Sequence, residues 1–277
     1  MIPVVDLRHD DAVSALRSAC EEIGFFTVVG HDVSAATIEE VADVSRRFFD
    51  QEQRAKARFA GPGTVVGLPV YRPLGSERLG ATGDGLDRAD LKESLDWGPS
   101  LAGVDWPAGM QRPYVTYLRE LHRLARRLRG VIAQALGHPE DWFEDRFDDV
   151  SSSLRVINYP EPASTPEVGQ LRAGAHRDYG FLTILSSDDA PGGLEVQTVS
   201  GEWVEVTPTP DAFVCNIGDL LADLTEGAWT STLHRVAVPP AGAHGARRQS
   251  IVFFHNPGDE ASQQYILRKA AAALDAG

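Results

Sequence analysis

The pattern of hydrophobic and polar positions changes character about halfway along the chain. In the first half, apolar residues recur at spacings of three and four, which is typical of amphipathic helices. The longest stripe predicts a helix over about 113–136, with Gly137 at a position that commonly follows a helix end. Shorter patterns predict strands at 2–7 and 25–29, and helices at 10–22 and from Ser34 onward.

From Ser151 on, short strands replace the helices. Apolar and polar residues alternate in segments separated by turn residues, at 153–159, 173–178, 182–186, 194–197, 203–206, 212–217, 231–238 and 249–255. Such a series fits two antiparallel sheets. The predicted fold class is therefore α+β, mainly β, with a double-stranded β-helix (jelly-roll) core flanked by helices. An alanine-rich helix is predicted at about 262–275.

Between Gly61 and Asp87 the chain is rich in glycine and proline and has no periodicity. Long irregular segments of this kind are often binding loops. We therefore expect an active-site loop here, with Tyr71 and Arg72 as candidate substrate contacts. An equally good interpretation is that both side chains anchor the loop to the body of the protein.

Composition narrows the class of partner. The chain has 277 residues and a net charge of −14, which argues against a nucleic-acid partner because such proteins carry a basic surface. Cys20 lies in a predicted helix and Cys215 in a predicted strand, so a disulfide is not expected. No apolar run has the length of a membrane span and no signal-peptide pattern is present, so we expect a cytoplasmic protein without a membrane partner.

Two further groups of side chains are interpreted as surface. The predicted helix at 113–136 carries arginines that we assign to a solvated face rather than to a binding patch: Arg119, Arg123, Arg126, Arg127 and Arg129. Five histidines are assigned to the surface because no partner is evident: His9, His31, His122, His138 and His244.

Three candidate metal ligands lie in the strand-rich half. His176 and Asp178 are two residues apart, so on an extended strand both side chains leave the same face. His234 follows in a later predicted strand, between Thr232 and Val236. Two imidazoles and one carboxylate on one face of a metal leave the opposite face open, which is the ligand set of non-haem Fe(II) oxygenases. Taken singly, a strand histidine is more often a core or surface residue than a ligand.

Arg248 and Ser250 strengthen this interpretation. They also share one face of a predicted strand, and a guanidinium fork beside a hydroxyl suits a carboxylate. An arginine that faces the inside of a barrel is costly unless it is paired. We therefore expect the two residues to bind a carboxylate ligand. The alternative is an internal ion pair between Arg248 and an Asp or Glu.

The motifs His-x-Asp, distal His and Arg-x-Ser, in this order, resemble the isopenicillin N synthase-like family of 2-oxoglutarate- and Fe(II)-dependent dioxygenases. Further similar motifs run through nearly the whole chain, at 2–7, 24–28, 90–93, 97–98, 158–160, 193–196, 216–219 and 230–236. The resemblance implies an N-terminal region at 1–100 that flanks the core and holds the active-site loop. It also implies a scaffold helix region at 101–150, and a catalytic core with a C-terminal helix at 151–277.

The resemblance also implies the cofactors and the reaction. Fe(II) would bind His176, Asp178 and His234, and 2-oxoglutarate and O2 would be cosubstrates, with ascorbate as an optional reductant. Arg248 and Ser250 would hold the distal carboxylate of 2-oxoglutarate. The enzyme would oxidise an unactivated C–H bond of a small molecule, by hydroxylation, desaturation or ring closure, and release succinate and CO2.

Several finer contacts follow from the same resemblance. Tyr159 is expected to hydrogen-bond 2-oxoglutarate, and Phe254, His255 and the C-terminal helix are expected to line the substrate pocket. Arg155 shares a strand face with Tyr159 and is a candidate for binding a substrate carboxylate, although an internal ion pair fits it equally well. Many relatives carry asparagine where this chain has Ile157, which puts one ligand contact in question.

Two other functions are compatible with the same residues. One is an Fe(II) oxidase of the isopenicillin N synthase type, which works without 2-oxoglutarate and binds its substrate's carboxylate through the Arg-x-Ser pair. Succinate formation coupled to substrate turnover distinguishes it from the dioxygenase. The other is a non-catalytic small-molecule-binding protein on the same fold, against which the intact triad argues.

Overall fold

The computed structural model describes residues 2–61, 70–79, 88–97, 105–148, 150–162 and 166–275. The predicted active-site loop at 61–87 therefore lies largely outside the described residues, which include only its segment 70–79 and its first residue.

The predicted elements are present, and most of their bounds agree closely with the sequence pattern. The helices are α1 (Ala12–Glu22), α2 (Ala35–Phe49), α3 (Gln53–Lys56), α4 (Gln111–Ala135), α5 (Asp219–Leu224) and α6 (Glu260–Asp275). The strands are β1 (Val4–Asp6), β2 (Phe25–Val29), β3 (Val70–Arg72), β4 (Glu93–Trp97), β5 (Ser153–Tyr159), β6 (Ala173–His176), β7 (Leu182–Ser187), β8 (Leu194–Gln197), β9 (Trp203–Glu205), β10 (Phe213–Ile217), β11 (His234–Val236) and β12 (Arg248–His255). The predicted core strands correspond to β5 through β12.

The strands form two sheets. The larger has the order β1-β2-β10-β7-β12-β5-β4-β3, and the smaller has the order β6-β11-β8-β9. Apart from the parallel pair β1–β2, neighbouring strands are antiparallel. The prediction of a double-stranded β-helix is confirmed. The N-terminal strands do more than flank this core, because β2 pairs with β10 and β4 pairs with β5, which extends the larger sheet at both edges.

The larger sheet separates a helical layer from an interior cavity. Ile251 and Phe253 of β12 belong to the main hydrophobic cluster, together with Leu121, Leu124 and Leu128 of α4. The intervening residues of β12 point the other way and line the cavity. This alternation is the period of two expected for a strand between two layers, and it fixes which residues can reach a ligand.

Not all of the α4 arginines lie on a solvated face. Arg119, Arg123 and Arg126 are exposed, but Arg129 is buried, forms an ion pair with Glu144 and lies over the ring of Phe147. Two of the histidines assigned to the surface, His31 and His122, are half-buried. The ring of His31 packs edge-on against Phe213, and that of His122 packs edge-on against Phe253. The assignment failed for these residues because their partners come from distant segments of the chain.

Two expectations about the chain's environment can be compared with the structure. Cys20 and Cys215 are both buried and both free. Among the helices in the described ranges, none has the combination of length and apolar sequence needed to cross a bilayer.

Candidate metal centre and active site

His176, Asp178 and His234 come together where the two sheets meet. His176 ends β6 and His234 begins β11, and the two residues are directly opposite in the antiparallel register. One ligand atom from each of the three side chains lies within 4.8 Å of the other two. The pattern predicts Asp178 at the end of a strand, but β6 stops at His176 and Asp178 lies in the following turn, where its carbonyl oxygen accepts a hydrogen bond from the amide of Asp219 at 2.8 Å.

Both histidines are oriented by backbone carbonyl groups. Nδ1 of His176 lies 2.7 Å from the carbonyl oxygen of Gly174, and Nδ1 of His234 lies 3.0 Å from that of Thr232. A carbonyl oxygen can only accept, so Nδ1 carries the proton in each ring and the lone pair of Nε2 is free. Metal-binding histidines are commonly held in this way, through a hydrogen bond from the nitrogen that does not bind the metal.

The carboxylate of Asp178 is oriented from the other sheet. Its Oδ2 accepts hydrogen bonds from Thr183 Oγ1 at 2.6 Å and from Asn216 Nδ2 at 2.7 Å. Its Oδ1 is not used by these donors and lies 3.8 Å from Nε2 of His234. Two imidazole nitrogens and one carboxylate oxygen therefore converge with their lone pairs available, and this donor set fits a divalent transition metal.

The protonation states fit a metal as well. Burial, reinforced by the neighbouring His234, lowers the pKa of His176 to about 3. Burial acts to raise the pKa of Asp178, but His234, His176 and the hydrogen bonds from Asn216 and Thr183 outweigh it, and the pKa is lowered overall. A neutral imidazole and an ionised carboxylate are the forms that bind a metal.

Arg248 lies at another part of the same cavity, with Ser250 and Tyr159. It is 2% exposed, and its guanidinium donates to Ser187 Oγ at 2.8 Å and to the carbonyl oxygen of Ala190 at 3.2 Å. Among the described residues no carboxylate lies within ion-pair distance of it, so the alternative of an internal ion pair is not realised there. A buried cation with neutral partners is costly, and a carboxylate ligand would supply the missing charge.

Tyr159 lies directly opposite Arg248 in the β5–β12 register. Burial raises the pKa of its phenol to about 12, against the opposing effect of Arg248. The hydroxyl therefore keeps its proton at neutral pH and is able to donate a hydrogen bond.

The cavity has an empty volume of about 640 Å³, which includes its open mouth. Its apolar lining includes Leu79, Ile157, Leu185, Val252 and Phe254. Phe254 thus lies where the sequence predicts it, and Ile157 contributes an apolar surface where many relatives have an amide.

Arg155 also lines the cavity, and it has ion-pair partners. Its Nε and Nη2 donate to the two carboxylate oxygens of Asp96 at 2.7 and 2.8 Å, and its Nη1 donates to Glu77 at 3.4 Å. The internal ion pair considered from the sequence is therefore present, and the same side chain still faces the cavity.

The other predicted substrate contacts are corrected by the structure. Tyr71 is 1% exposed, and its hydroxyl donates to Glu93 and lies 3.0 Å from Gln53 Oε1, so it anchors β3 to the body. Arg72 donates to Asp96 at 2.7 Å. Neither side chain is among the residues lining the cavity.

His255 and the C-terminal helix are also absent from the described lining. His255 follows Phe254 on β12, so its side chain points to the helical layer, where its ring stacks on Phe147 and its Nδ1 lies 2.9 Å from Ser152 Oγ. Helix α6 instead contacts α5, for example through an ion pair of 2.9 Å between Lys269 and Asp219.

Four residues that now stand out had no role predicted from the sequence. Thr183 and Asn216 orient Asp178, and Lys92 lines the cavity. Arg172 is buried beside Arg248 and donates to the carbonyl oxygens of Pro191, Gly192 and Ala246. The only signals in the sequence were the family-like motifs around Lys92 and Asn216, and the strand parity that Arg172 shares with His176.

A two-histidine, one-carboxylate centre inside a double-stranded β-helix defines a class, the non-haem metal-dependent oxygenases. Two family models match the chain. The 2OG-Fe(II) oxygenase superfamily matches residues 151–257, and the family described as non-haem dioxygenase in morphine synthesis N-terminal matches residues 2–114.

Individual relatives agree with these matches. Homoarginine-6-hydroxylase 2-ODD-C23 of Glycine max is 33% identical over 264 residues, which cover 88% of this chain and 77% of the relative. The 2-oxoglutarate-dependent dioxygenase citB of Monascus ruber is 32% identical over 291 residues, covering 91% and 84%. A full-length Neurospora crassa protein, solved in complex with alpha-KG, has a TM-score of 0.83 at 26% identity and covers 98% of this chain and 96% of its own, and a second structure of that protein holds alpha-KG and thymine.

The chain belongs to the 2OG-Fe(II) oxygenase superfamily. It is an enzyme of the class that uses Fe(II), 2-oxoglutarate and O2 to oxidise a small molecule. The comparisons do not favour the 2-oxoglutarate-independent oxidase or the non-catalytic binding protein.

Proposed function

We propose that His176, Asp178 and His234 bind the catalytic Fe(II) in this enzyme. The observation that carries the proposal is the convergence of three unused lone pairs. The Nδ1 atoms of both histidines are committed to backbone carbonyl oxygens, and Oδ2 of Asp178 is committed to Thr183 and Asn216. Only Nε2 of each ring and Oδ1 of the carboxylate remain. One ligand atom from each side chain lies within 4.8 Å of the other two, and Oδ1 of Asp178 lies 3.8 Å from Nε2 of His234.

Arg248, Ser250 and Tyr159 are proposed to bind 2-oxoglutarate. Arg248 supplies a charged fork for the distal carboxylate, and Ser250 and Tyr159 supply hydroxyl donors from neighbouring positions on β12 and β5. The support for this assignment is that Arg248 lines the cavity, is buried, and has only neutral partners among the described residues. Because the turn around Ala190 already fixes Arg248, little side-chain entropy is lost on binding.

Different residues of the site have different roles in the reaction. Bound iron supplies the oxidative chemistry, in which 2-oxoglutarate is converted to succinate and CO2 as a C–H bond of the substrate is oxidised. Thr183 and Asn216 keep the Asp178 carboxylate in one orientation, and the apolar wall around Val252 and Phe254 holds the substrate and excludes water. We propose hydroxylation as the outcome, supported by the similarity to the Glycine max relative, which is named a hydroxylase.

The first experiment is anaerobic addition of Fe(II) and 2-oxoglutarate to the metal-free protein. The iron–2-oxoglutarate chelate should give a weak visible charge-transfer band. We expect the band to be lost in His176→Ala and weakened in Arg248→Ala. His138→Ala is the matched control, since His138 is exposed and stacks on Trp142 away from the centre.

Each other outcome has a definite meaning. Iron binding without the band would point to the oxidase that works without 2-oxoglutarate. Failure to bind iron at all would refute the metal assignment.

Two further assignments remain proposals. We propose the division into an N-terminal region at 1–100, a scaffold helix region at 101–150 and a catalytic core with a C-terminal helix at 151–277. The family matches at 2–114 and 151–257 support its first and last parts. The first and third regions share one sheet, because β4 of the first region pairs with β5 of the third. We also propose a cytoplasmic location without nucleic-acid or membrane partners, supported by two free buried cysteines and a net charge of −14.

A further inference from the structure

A network of charged side chains forms one wall of the cavity, at the edge of the larger sheet that carries β5, β4 and β3. Its described members are three cations and three carboxylates: Arg72, Lys92, Arg155, Glu77, Asp90 and Asp96. Lys92 Nζ lies 3.1 Å from Asp90 Oδ2 and 3.5 Å from Glu77 Oε2. The described part of the network is therefore electrically balanced before any ligand binds.

The cations and the carboxylates of this network do not face the cavity equally. Of the six described members, Lys92 and Arg155 line the cavity, whereas Arg72 and the three carboxylates do not. Burial acts to raise the pKa of Glu77, but Arg155, Lys92 and Arg72 outweigh it and lower the pKa to about 2. Glu77 therefore stays ionised behind the cations, and the face of the network that a ligand meets is positive.

Arg155 keeps hydrogen-bond donors that the network does not use. In Arg155 the bonds to Asp96 and Glu77 take one N–H from each nitrogen, which leaves one N–H on each of Nη1 and Nη2. Lys92 forms ion pairs with Asp90 and Glu77, and 1% of its side-chain surface is exposed. Arg155 keeps 21% of its side-chain surface accessible although it lies in an interior wall, so that surface faces the cavity.

This anion site is separate from the one at Arg248. In the β5–β12 register, Tyr159 is opposite Arg248 and Arg155 is opposite Val252. Four residues of strand separate the two levels, or about 13 Å at the usual rise. A five-carbon 2-oxoglutarate that chelates the metal and reaches Arg248 would not extend to Arg155. Between the two levels, Ile157 lies opposite Ser250, and Ile157 gives that part of β5 an apolar surface.

We propose that the substrate is a small carboxylic acid or amino acid whose carboxylate binds Arg155 and Lys92 while its apolar part lies against Val252 and Phe254. This inference rests on the proposed function, because it takes Arg248 to be occupied by 2-oxoglutarate. A carboxylate accepts the spare N–H donors of Arg155 beside the positive charge of Lys92, and charge-assisted bonds of this kind are stronger than neutral ones. A cationic group would have to reach carboxylates that lie behind Lys92 and Arg155.

The test compares acids with their own amides. The probes are L-homoarginine and L-homoarginine amide, and 3-phenylpropionate and 3-phenylpropionamide, each pair differing in the carboxylate alone. Binding is measured by ligand-observed NMR on protein loaded with Zn(II) and 2-oxoglutarate, so that turnover does not interfere. We expect at least one acid to bind about 10-fold or more tightly than its amide, which corresponds to one charge-assisted interaction.

Variants identify the side chains responsible. Arg155→Gln and Lys92→Gln should each reduce the preference for the acid, and Arg155→Lys should retain part of it. Arg72→Gln is the matched control, because Arg72 shares Asp96 and Glu77 with Arg155 but does not line the cavity. It should leave the preference for the acid unchanged. If Arg155→Gln does not fold, Lys92→Gln and Arg155→Lys still decide the question.

Three results would overturn the proposal. The first is that the acids bind no more tightly than their amides, which includes the case in which no probe binds. The second is a preference for the acid that survives both Arg155→Gln and Lys92→Gln. The third is a preference for the amide of an amine-bearing probe. Failure of the proposed function would look different, since the visible band with Fe(II) and 2-oxoglutarate would then be missing. A normal band without acid preference would refute the substrate class alone.

Discussion

Arg248 provides the sharpest prediction about the cosubstrate. We replace it by methionine, which keeps much of the volume and removes both the charge and the donors. In the wild type the guanidinium is 2% exposed, and its described partners are the hydroxyl of Ser187 and the carbonyl of Ala190. In Arg248→Met a bound 2-oxoglutarate would leave its distal carboxylate buried without a cation.

The size of the effect follows from that unpaired charge. Removing one partner of a buried, hydrogen-bonded charge pair costs about 2–5 kcal/mol of binding free energy. At 1.4 kcal/mol per factor of ten, the Kd for 2-oxoglutarate should rise about 30-fold to about 4,000-fold. The metal-free, ligand-free protein should change far less in stability, because Arg248→Met also removes the desolvation cost of a buried guanidinium with neutral partners.

The assay is titration of the Zn(II)-loaded protein with 2-oxoglutarate by calorimetry, alongside urea denaturation of the apo-protein. Arg172→Met is the matched control, since Arg172 is a buried guanidinium beside Arg248 that donates to backbone carbonyl oxygens and does not line the cavity. We expect that variant to lose less affinity for 2-oxoglutarate than Arg248→Met. An unchanged Kd for 2-oxoglutarate in Arg248→Met would refute the assignment, and so would equal affinity losses in the two variants.

Three further predictions concern other parts of the site and its surroundings. Thr183→Val removes one of the two hydrogen-bond donors to Asp178 Oδ2 and should weaken Fe(II) binding about 10- to 100-fold. A competition titration with a metal indicator measures the affinity for Fe(II), and an unchanged affinity would contradict the role given to Thr183. Tyr71→Phe should lower the free energy of unfolding by about 1–3 kcal/mol through the lost bond to Glu93, without altering the Kd of 2-oxoglutarate or of the acid probes; a change in those Kd values would return Tyr71 to the ligand site. Burial and then the charge of Arg129 lower the pKa of His255 to about 3 in the folded protein, so the unfolded state takes up a proton first and this group costs stability as the pH falls below about 6.5. The free energy of unfolding lost through this group is about 2 kcal/mol at pH 5 relative to pH 7. In urea denaturation of the apo-protein, the free energy of unfolding of His255→Gln should therefore fall less steeply with pH than that of the wild type. An equal pH dependence in the two proteins would refute this prediction.

Strand parity explains how much of the core could be predicted from the sequence. A residue pair separated by two shares a face, and this rule alone places Arg248 with Ser250 and Arg155 with Tyr159 inside the cavity. The same rule, applied to the neighbour of Phe254, puts His255 on the opposite face. The expectation that His255 lines the pocket was therefore wrong for a reason already contained in the sequence.

Other parts of the site could not be obtained that way, because they depend on which distant segments meet. Strand β3 is three residues long and is recognisable as a strand only through its pairing with β4. That pairing is what turns Tyr71 toward Glu93 and Arg72 toward Asp96, away from the ligand. The local sequence around Tyr71 does not indicate that Glu93 and Asp96 will be the partners.

The charge network at Arg155 shows the same limit and also why it matters for function. From the sequence, an ion pair and a ligand contact were alternatives for Arg155, on the assumption that one use excludes the other. The structure shows Asp96 occupying two guanidinium nitrogens and Glu77 the third, while the side chain still lines the cavity. The ion pairs offset the cost of burying the cation, and the remaining N–H groups stay available to a substrate. A buried arginine held by carboxylates from behind is thus a preorganised anion site, which is why its partners have to be known before its role can be inferred.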